Sequence, residues 1–170
     1  MIEDRLSVGL VVERRALAGP WGGHMWRPVV AFATLPEVAP WTEIMRTADA
    51  VRYYAGEAYV HLYSTDTANY RDNLESGAPK LWVVLRPDGQ DPPVEVQAVT
   101  ADPAEGEAAT EAGTNVVETL EMPAEVAAAI AAFIAAHHVE RAIIKRKRDR
   151  AEPDVKWRVG GPGSGGQGRE

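Results

Sequence analysis

The chain has 170 residues and a net charge of −7, from 18 Lys or Arg against 25 Asp or Glu. It holds no cysteine, which excludes disulfides, thiolate metal sites, iron–sulfur ligation and a cysteine nucleophile. The start, MIEDRLSVGLVVERR, lacks the basic-then-apolar order of a signal peptide, and no apolar run reaches the roughly 18–20 residues of a membrane span, so the expectation is a soluble, cytoplasmic protein.

Leu6–Arg15 (LSVGLVVERR) is apolar and β-branched and predicts a first strand. Residues 16–24 (ALAGPWGGH) read as a loop, broken by Gly-Pro and Gly-Gly. Met25–Thr34 predicts a second strand. Pro28 near its start points to an edge strand or to the strand's first residues, because proline has no N–H to give to a ladder. Residues 35–50 hold two prolines and no clean period, which reads as a loop or a short helical turn.

Val51–Tyr54 and Ala58–Ser64 read as two strands joined by a tight hairpin, with Gly56 at positive φ. In the second of these, Ala58, Val60 and Leu62 share one face and Tyr59, His61 and Tyr63 the other. Residues 64–77 open on Ser/Thr/Asp, place Tyr70 and Leu74 four apart and stop at Gly77, the pattern of a short helix.

Lys80–Arg86 predicts a strand, 87–93 a turn, Val94–Thr100 a strand, and 101–113 a weak acidic helix or loop. Asn115–Leu120 is a last strand. Pro123–His138 is the clearest helix. Proline stands at its first position, and Val126, Ile130, Phe133, Ile134 and His137 fall on one face.

Strands that run consecutively argue for an α+β fold with mainly antiparallel strands, curled into a sheet or small barrel. The long C-terminal helix would cap an open end, beside one or two short helices. The outline is similar to pleckstrin-homology-like barrels, an analogy of fold that carries no function. Residues 1–140 are expected to form one folded domain, 141–150 a basic segment, and 151–170 a disordered Gly/Pro-rich tail.

The charge is segregated. Between Arg86 and Arg141 there is no Lys or Arg but eleven acids, whereas 141–150 (RAIIKRKRDR) carries six basic residues and one acid. Within it KRKRDR (145–150) reads as a solvated end, a docking patch for an acidic protein, or a nucleic-acid contact. The acidic body and the lack of any nucleic-acid-binding motif disfavour the last.

The tail's GGPGSGGQG lacks the Gly-Lys-Ser/Thr of a phosphate loop, and neither G-x-S-x-G nor H-E-x-x-H occurs. His137, His138 and Glu140 lie close in sequence. Adjacent helical residues point about 100° apart, which favours a core-edge histidine over a metal site. His61 between two tyrosines is open to acid–base work or to sheet packing, and His24 reads as a polar turn residue. Trp21 and Trp26 either close one end of the barrel, or Trp21 with Arg27 forms an exposed aromatic–arginine anchor.

GLVVERR (9–15), PWGGHMWRPVVAF (20–32), TANYRDNLESGAPKLWVVLRP (67–87), VTADPAEGE (99–107), MPAEVAAAIAAFIAAHHVE (122–140) and KRKRD (145–149) together resemble a small bacterial family of unknown function. The W-R-P after a His-containing loop, the N-Y-R-x-N-L run and the closing K-R-K-R-D carry the resemblance, which spans about Leu6 to Arg150. It implies a gene context beside molybdenum- or tungsten-dependent formate dehydrogenase. Some relatives are labelled as molybdopterin–guanine dinucleotide synthesis proteins. That activity needs a Gly-rich nucleotide loop in a doubly wound fold, and VGLVVERRALAGPWGG lacks the loop's lysine and spacing.

The expectation is therefore a non-catalytic accessory or maturation protein, with no cofactor of its own, that binds a subunit of formate dehydrogenase or another molybdoenzyme. Trp21, His24, Trp26, Arg27, Lys145, Arg146, Lys147 and Arg148 are its candidate docking residues. An alternative is a small-molecule binding module for the molybdenum cofactor or a nucleotide. Arg14, Arg27, Arg71 and His61 would then be donors to anionic phosphates. A third is an enzyme of unknown class centred on His61. No membrane partner is expected, and nucleic acid is disfavoured.

Overall fold

The computed structural model describes residues 1–111 and 113–140. The basic segment 141–150, with Lys145, Arg146, Lys147 and Arg148, and the tail 151–170 lie outside the described residues. The chain divides into Met1–Val139, which carries every element below, and Glu140–Glu170.

Among the described residues the strands are β1 (Glu3–Ala16), β2 (His24–Phe32), β3 (Thr42–Arg46), β4 (Ala50–Tyr63), β5 (Lys80–Pro87), β6 (Val94–Thr100) and β7 (Val116–Glu121). The helices are α1 (Thr67–Glu75), α2 (Pro103–Glu111) and α3 (Ala124–His137). No described helix is long and apolar enough to cross a membrane.

The strands lie in the order β2-β1-β4-β6-β5-β7, with β3 pairing on β4. Every pairing is antiparallel except β4–β6, which meet in parallel at the single pair Val60–Val99. The terminal strands β2 and β7 approach each other, so the sheet nearly closes into a barrel.

Alternation along β1 sends Val8, Leu10 and Val12 inward, where they meet Val60 and Leu62 of β4 and Leu81, Val83 and Leu85 of β5. Tyr70 of α1 and Val126, Ile130 and Phe133 of α3 complete the same core. Each such side chain contributes roughly 1.5–3 kcal/mol on burial. The apolar stripe expected on the last helix is therefore the face that packs. The helix starts one residue later than expected, with Pro123 as the extended residue before it (φ −57°, ψ 142°).

Two expectations are corrected. The stretch 35–50 contains a strand, β3. It is exposed along most of its length and takes its order from its partner β4 rather than from any apolar period. The hairpin expected at Ala55–Glu57 does not form, because β4 runs straight through it. Leu10 pairs with Gly56 and Val11 with Tyr54, which leaves Ala55 as the extra residue of a bulge. Gly56 does take positive φ (108°), but the bulge uses it, not a turn. Pro28 lies on the edge strand β2, as its missing N–H requires, opposite Val12 where the register with β1 shifts.

The N-Y-R-x-N-L run is a fastener. Asn69 Nδ2 donates to Asp102 Oδ2 at 2.8 Å. Tyr70 Oη accepts from the Tyr63 N–H at 3.1 Å, and burial pushes its phenol up to about 12. Asn73 Nδ2 donates to the carbonyls of Lys80 and Ala101, both at 2.8 Å, and its Oδ1 accepts from the Lys80 N–H at 3.0 Å. Helix α1 is thus tied to β4, β5 and the end of β6. Asp102 caps α2 by accepting from the Ala104 N–H at 2.8 Å. Gly106, in the middle of α2, lets that helix lie on Trp82, since a Cβ there would fall on the indole.

Candidate functional site

One end of the barrel is closed by aromatic rings. Arg14, Trp26 and Tyr53 sit on the inward face of β1, β2 and β4, because Arg14 pairs with Trp26 and Tyr53 pairs with the fully buried Val12. Trp26 stacks on Tyr53 with centroids 5.8 Å apart, and Trp41 meets Trp26 edge-on at 6.2 Å. The Arg14 guanidinium stands 5.9 Å from both the Trp26 and the Tyr53 ring centroids, a double cation–π contact.

Trp41 is delivered by a strained residue. Its φ is +66°, the only positive value outside glycine among the described residues. Its N–H donates to the Tyr54 carbonyl, which holds that conformation. These side chains, with His24 and the loop Asp91–Pro93, surround a cavity of about 400 Å³. On β3, opposite Tyr53, Glu43 accepts from Arg46 through both its oxygens, at 2.8 and 2.7 Å. Those bonds hold the Glu43 carboxyl below its ordinary value, and the charge of Arg14 acts in the same sense.

Beyond this mouth the β1–β2 loop carries Trp21, which is 96 % exposed. Gly19, Gly22 and Gly23 around it all take positive φ. The loop runs directly into His24, one wall of the cavity. Trp26 therefore closes the barrel end while Trp21 faces solvent.

The residue after Trp26 points the other way. Arg27 lies on the outer face of β2 and bonds Glu13 Oε1 at 3.3 Å. Arg15 Nε reaches the same oxygen at 3.0 Å, and Arg52 Nε reaches Oε2 at 2.9 Å. Glu13 is 1 % exposed beneath these three guanidiniums. Burial alone would raise its pKa, but the bonds from Arg52, Arg15 and Arg27 outweigh that and hold it below the ordinary value.

The other candidates lie elsewhere. His61 is on the outer face of β4, with Nδ1 3.4 Å from Glu3 Oε1, beside a groove of about 550 Å³ between β4, β6 and α2. Arg71 Nη1 is 3.2 Å from His138 Nε2, and His138 Nδ1 is 2.9 Å from Thr67 Oγ1, which links α1 to the end of α3. His137 packs on Phe133 with ring centroids 4.7 Å apart, as a core-edge histidine does. Among the described residues no group of three or more His, Asp or Glu converges as a metal site.

Arg14, Arg27, Arg71 and His61 thus occupy four separate places and do not converge on one pocket. Trp21 and Arg27 do not pair. Sequence reasoning missed Trp41, Tyr53, Glu13, Arg15 and Arg52. One signal was available for the last three, namely a carboxylate inside an otherwise apolar strand, which needs cationic partners once the strand is placed centrally.

These features define a strand-rich α+β domain with an aromatic, arginine-bearing mouth and a separate arginine cluster on its outer wall. Over residues 7–148 the chain matches the model of the family described as Protein of unknown function (DUF3305), and it belongs to that family. No curated protein and no solved structure gives a match.

Proposed function

We propose that the chain is a non-catalytic accessory protein that binds a subunit of a molybdenum-dependent enzyme, formate dehydrogenase in the first place. The motif resemblance, with its implied gene context, supports the choice of enzyme. One structural observation carries the binding role. An indole 96 % exposed stands on a glycine-framed loop, next to a mouth built of Trp26, Trp41, Tyr53 and Arg14.

Tryptophan and arginine are the usual anchors of interfaces. Burying about 200 Å² of indole on a partner contributes on the order of 5 kcal/mol before the costs of association. Lys145–Arg148 would speed and orient the encounter with an acidic partner.

The cavity itself favours a second reading, a small flat anionic ligand such as the pterin cofactor or a guanine nucleotide. Its ring would stack on Trp26 or Trp41 and its phosphate would meet Arg14.

A tagged pull-down from the native host grown on formate tests the first reading. The full chain is expected to recover molybdoenzyme subunits, and Trp21→Ala to lose most of them. Recovery of none by the full chain overturns it. A thermal shift with guanine nucleotide tests the second, because a ligand at about 100 times its Kd adds about 2.7 kcal/mol of stability. An unmoved melting point rejects that ligand.

A further inference from the structure

We propose that the outer face of β2, β1, β4 and β3 is a second docking surface, made for an acidic protein segment. Arg15, Arg27 and Arg52 are its carboxylate receptors, and Met25 and Met45 its apolar flanks. This surface is independent of the mouth and of which enzyme is bound.

Three guanidiniums share one carboxylate, so the cluster has two positive charges in excess. Each guanidinium has five N–H groups. One of each is spent on Glu13. Arg27 Nε is the one buried side-chain nitrogen or oxygen left without a partner among the described residues. The three side chains are 42 %, 39 % and 34 % exposed, so their unused donors, apart from the buried Arg27 Nε, are open to a partner.

Glu13 also fixes their heads in place. A partner that meets arginines already ordered loses less side-chain entropy on binding. Strand register adds the flanks. Met25 lies opposite Arg15 and Met45 opposite Arg52 on the same outer face, and both are exposed. Arginine and methionine are enriched at interfaces, where lysine and the acids are depleted.

The ligand chemistry follows from charge and spacing. Residues 1–140 hold nine Lys or Arg against twenty-one Asp or Glu, so this cluster is a positive island on an acidic body. A long polyanion such as nucleic acid would be repelled by the rest of that surface. A short acidic stretch would meet only the island. Adjacent strands are about 4.8 Å apart, so the three forks span about 10 Å. Carboxylates at alternate residues of an extended segment, about 7 Å apart, fit that span.

The test uses the full chain with Lys145, Arg146, Lys147 and Arg148 changed to Gln, which leaves the cluster as the main concentration of positive charge. A fluorescein-labelled octapeptide of alternating Glu and Ser is titrated by anisotropy at about 20 mM salt, where charges are little screened. Binding is expected, and it should weaken steeply with added salt. Arg15→Gln with Arg27→Gln should reduce affinity about a hundredfold, about tenfold for each charged bond lost. Met45→Asp, which leaves the Glu13 bonds intact, should reduce it about tenfold and decides the matter if the double variant does not fold. No binding by the starting protein, unchanged binding by Met45→Asp, or tighter binding of a single-stranded oligonucleotide of equal charge would each overturn the proposal.

Discussion

Replacing Asn73 by alanine tests how α1 is tied to the barrel. The side chain is buried and makes three hydrogen bonds, two donated and one accepted, to backbone groups of Lys80 and Ala101. Alanine removes all three and leaves an N–H and two carbonyls facing a gap. An unsatisfied buried group costs about 1–3 kcal/mol. The groups at Lys80 are partly reached by water, so the sum falls to roughly 3–5 kcal/mol. Against a total stability of about 5–15 kcal/mol this is a large fraction. Urea unfolding followed by circular dichroism should show the midpoint fall with the slope unchanged. Asn73→Asp keeps the acceptor, loses both donated bonds and buries a charge, so it should be no milder. A loss below about 1 kcal/mol in the alanine variant would refute the reasoning that these bonds fasten the helix.

Glu13 makes stability pH-dependent. Its folded carboxyl lies below the ordinary 4.5, so the folded state holds the proton more weakly than the unfolded chain. The cluster's contribution is therefore complete above that range and fades as pH falls through the depressed value. The stability gap between wild type and Glu13→Gln should shrink on acidification, and a constant gap between pH 5 and 2 would contradict it. Gly106→Ala should destabilise by about 1–2 kcal/mol, since clash with the Trp82 ring exceeds the helix propensity gained, and a raised melting temperature would show that the ring yields. Trp21→Ala should leave stability within about 0.5 kcal/mol while lowering partner capture, because the indole touches nothing in the fold. A large drop in melting temperature would mean the loop packs.

The legible parts of the fold were those governed by local pattern. The core strands β1, β5 and β6 and the stripe of α3 follow from apolar periodicity alone. The missing N–H of Pro28 left an edge strand or a strand start open, and the strand order selects the edge. What stayed hidden depends on partners distant in sequence. Strand β3 is mostly exposed and has no stripe of its own. The Gly56 bulge and a hairpin ask for the same residue, and only the length of β1 decides between them. At the candidate site Trp26 and Arg27 were visible as residue types. Their opposite directions, which assign them to different surfaces, follow only from the register with β1. Trp41 arrives through a left-handed backbone that nothing in its neighbours requires.

The bridge between β4 and β6 is a single pair, Val60–Val99. The wall is therefore two ladders sewn together by one stitch of backbone and otherwise by side chains. Along residues 55–59 and 94–98 no strand among the described residues pairs on the facing edge, although both strands run through the middle of the domain. Amide protons there should exchange with solvent sooner than those of β1, and a pulling force should part the molecule along this line first. Open edges also invite foreign strands. Glu57 lies on the first of these edges, where a charge disfavours such pairing, whereas Glu95 on the second is already matched by Arg86.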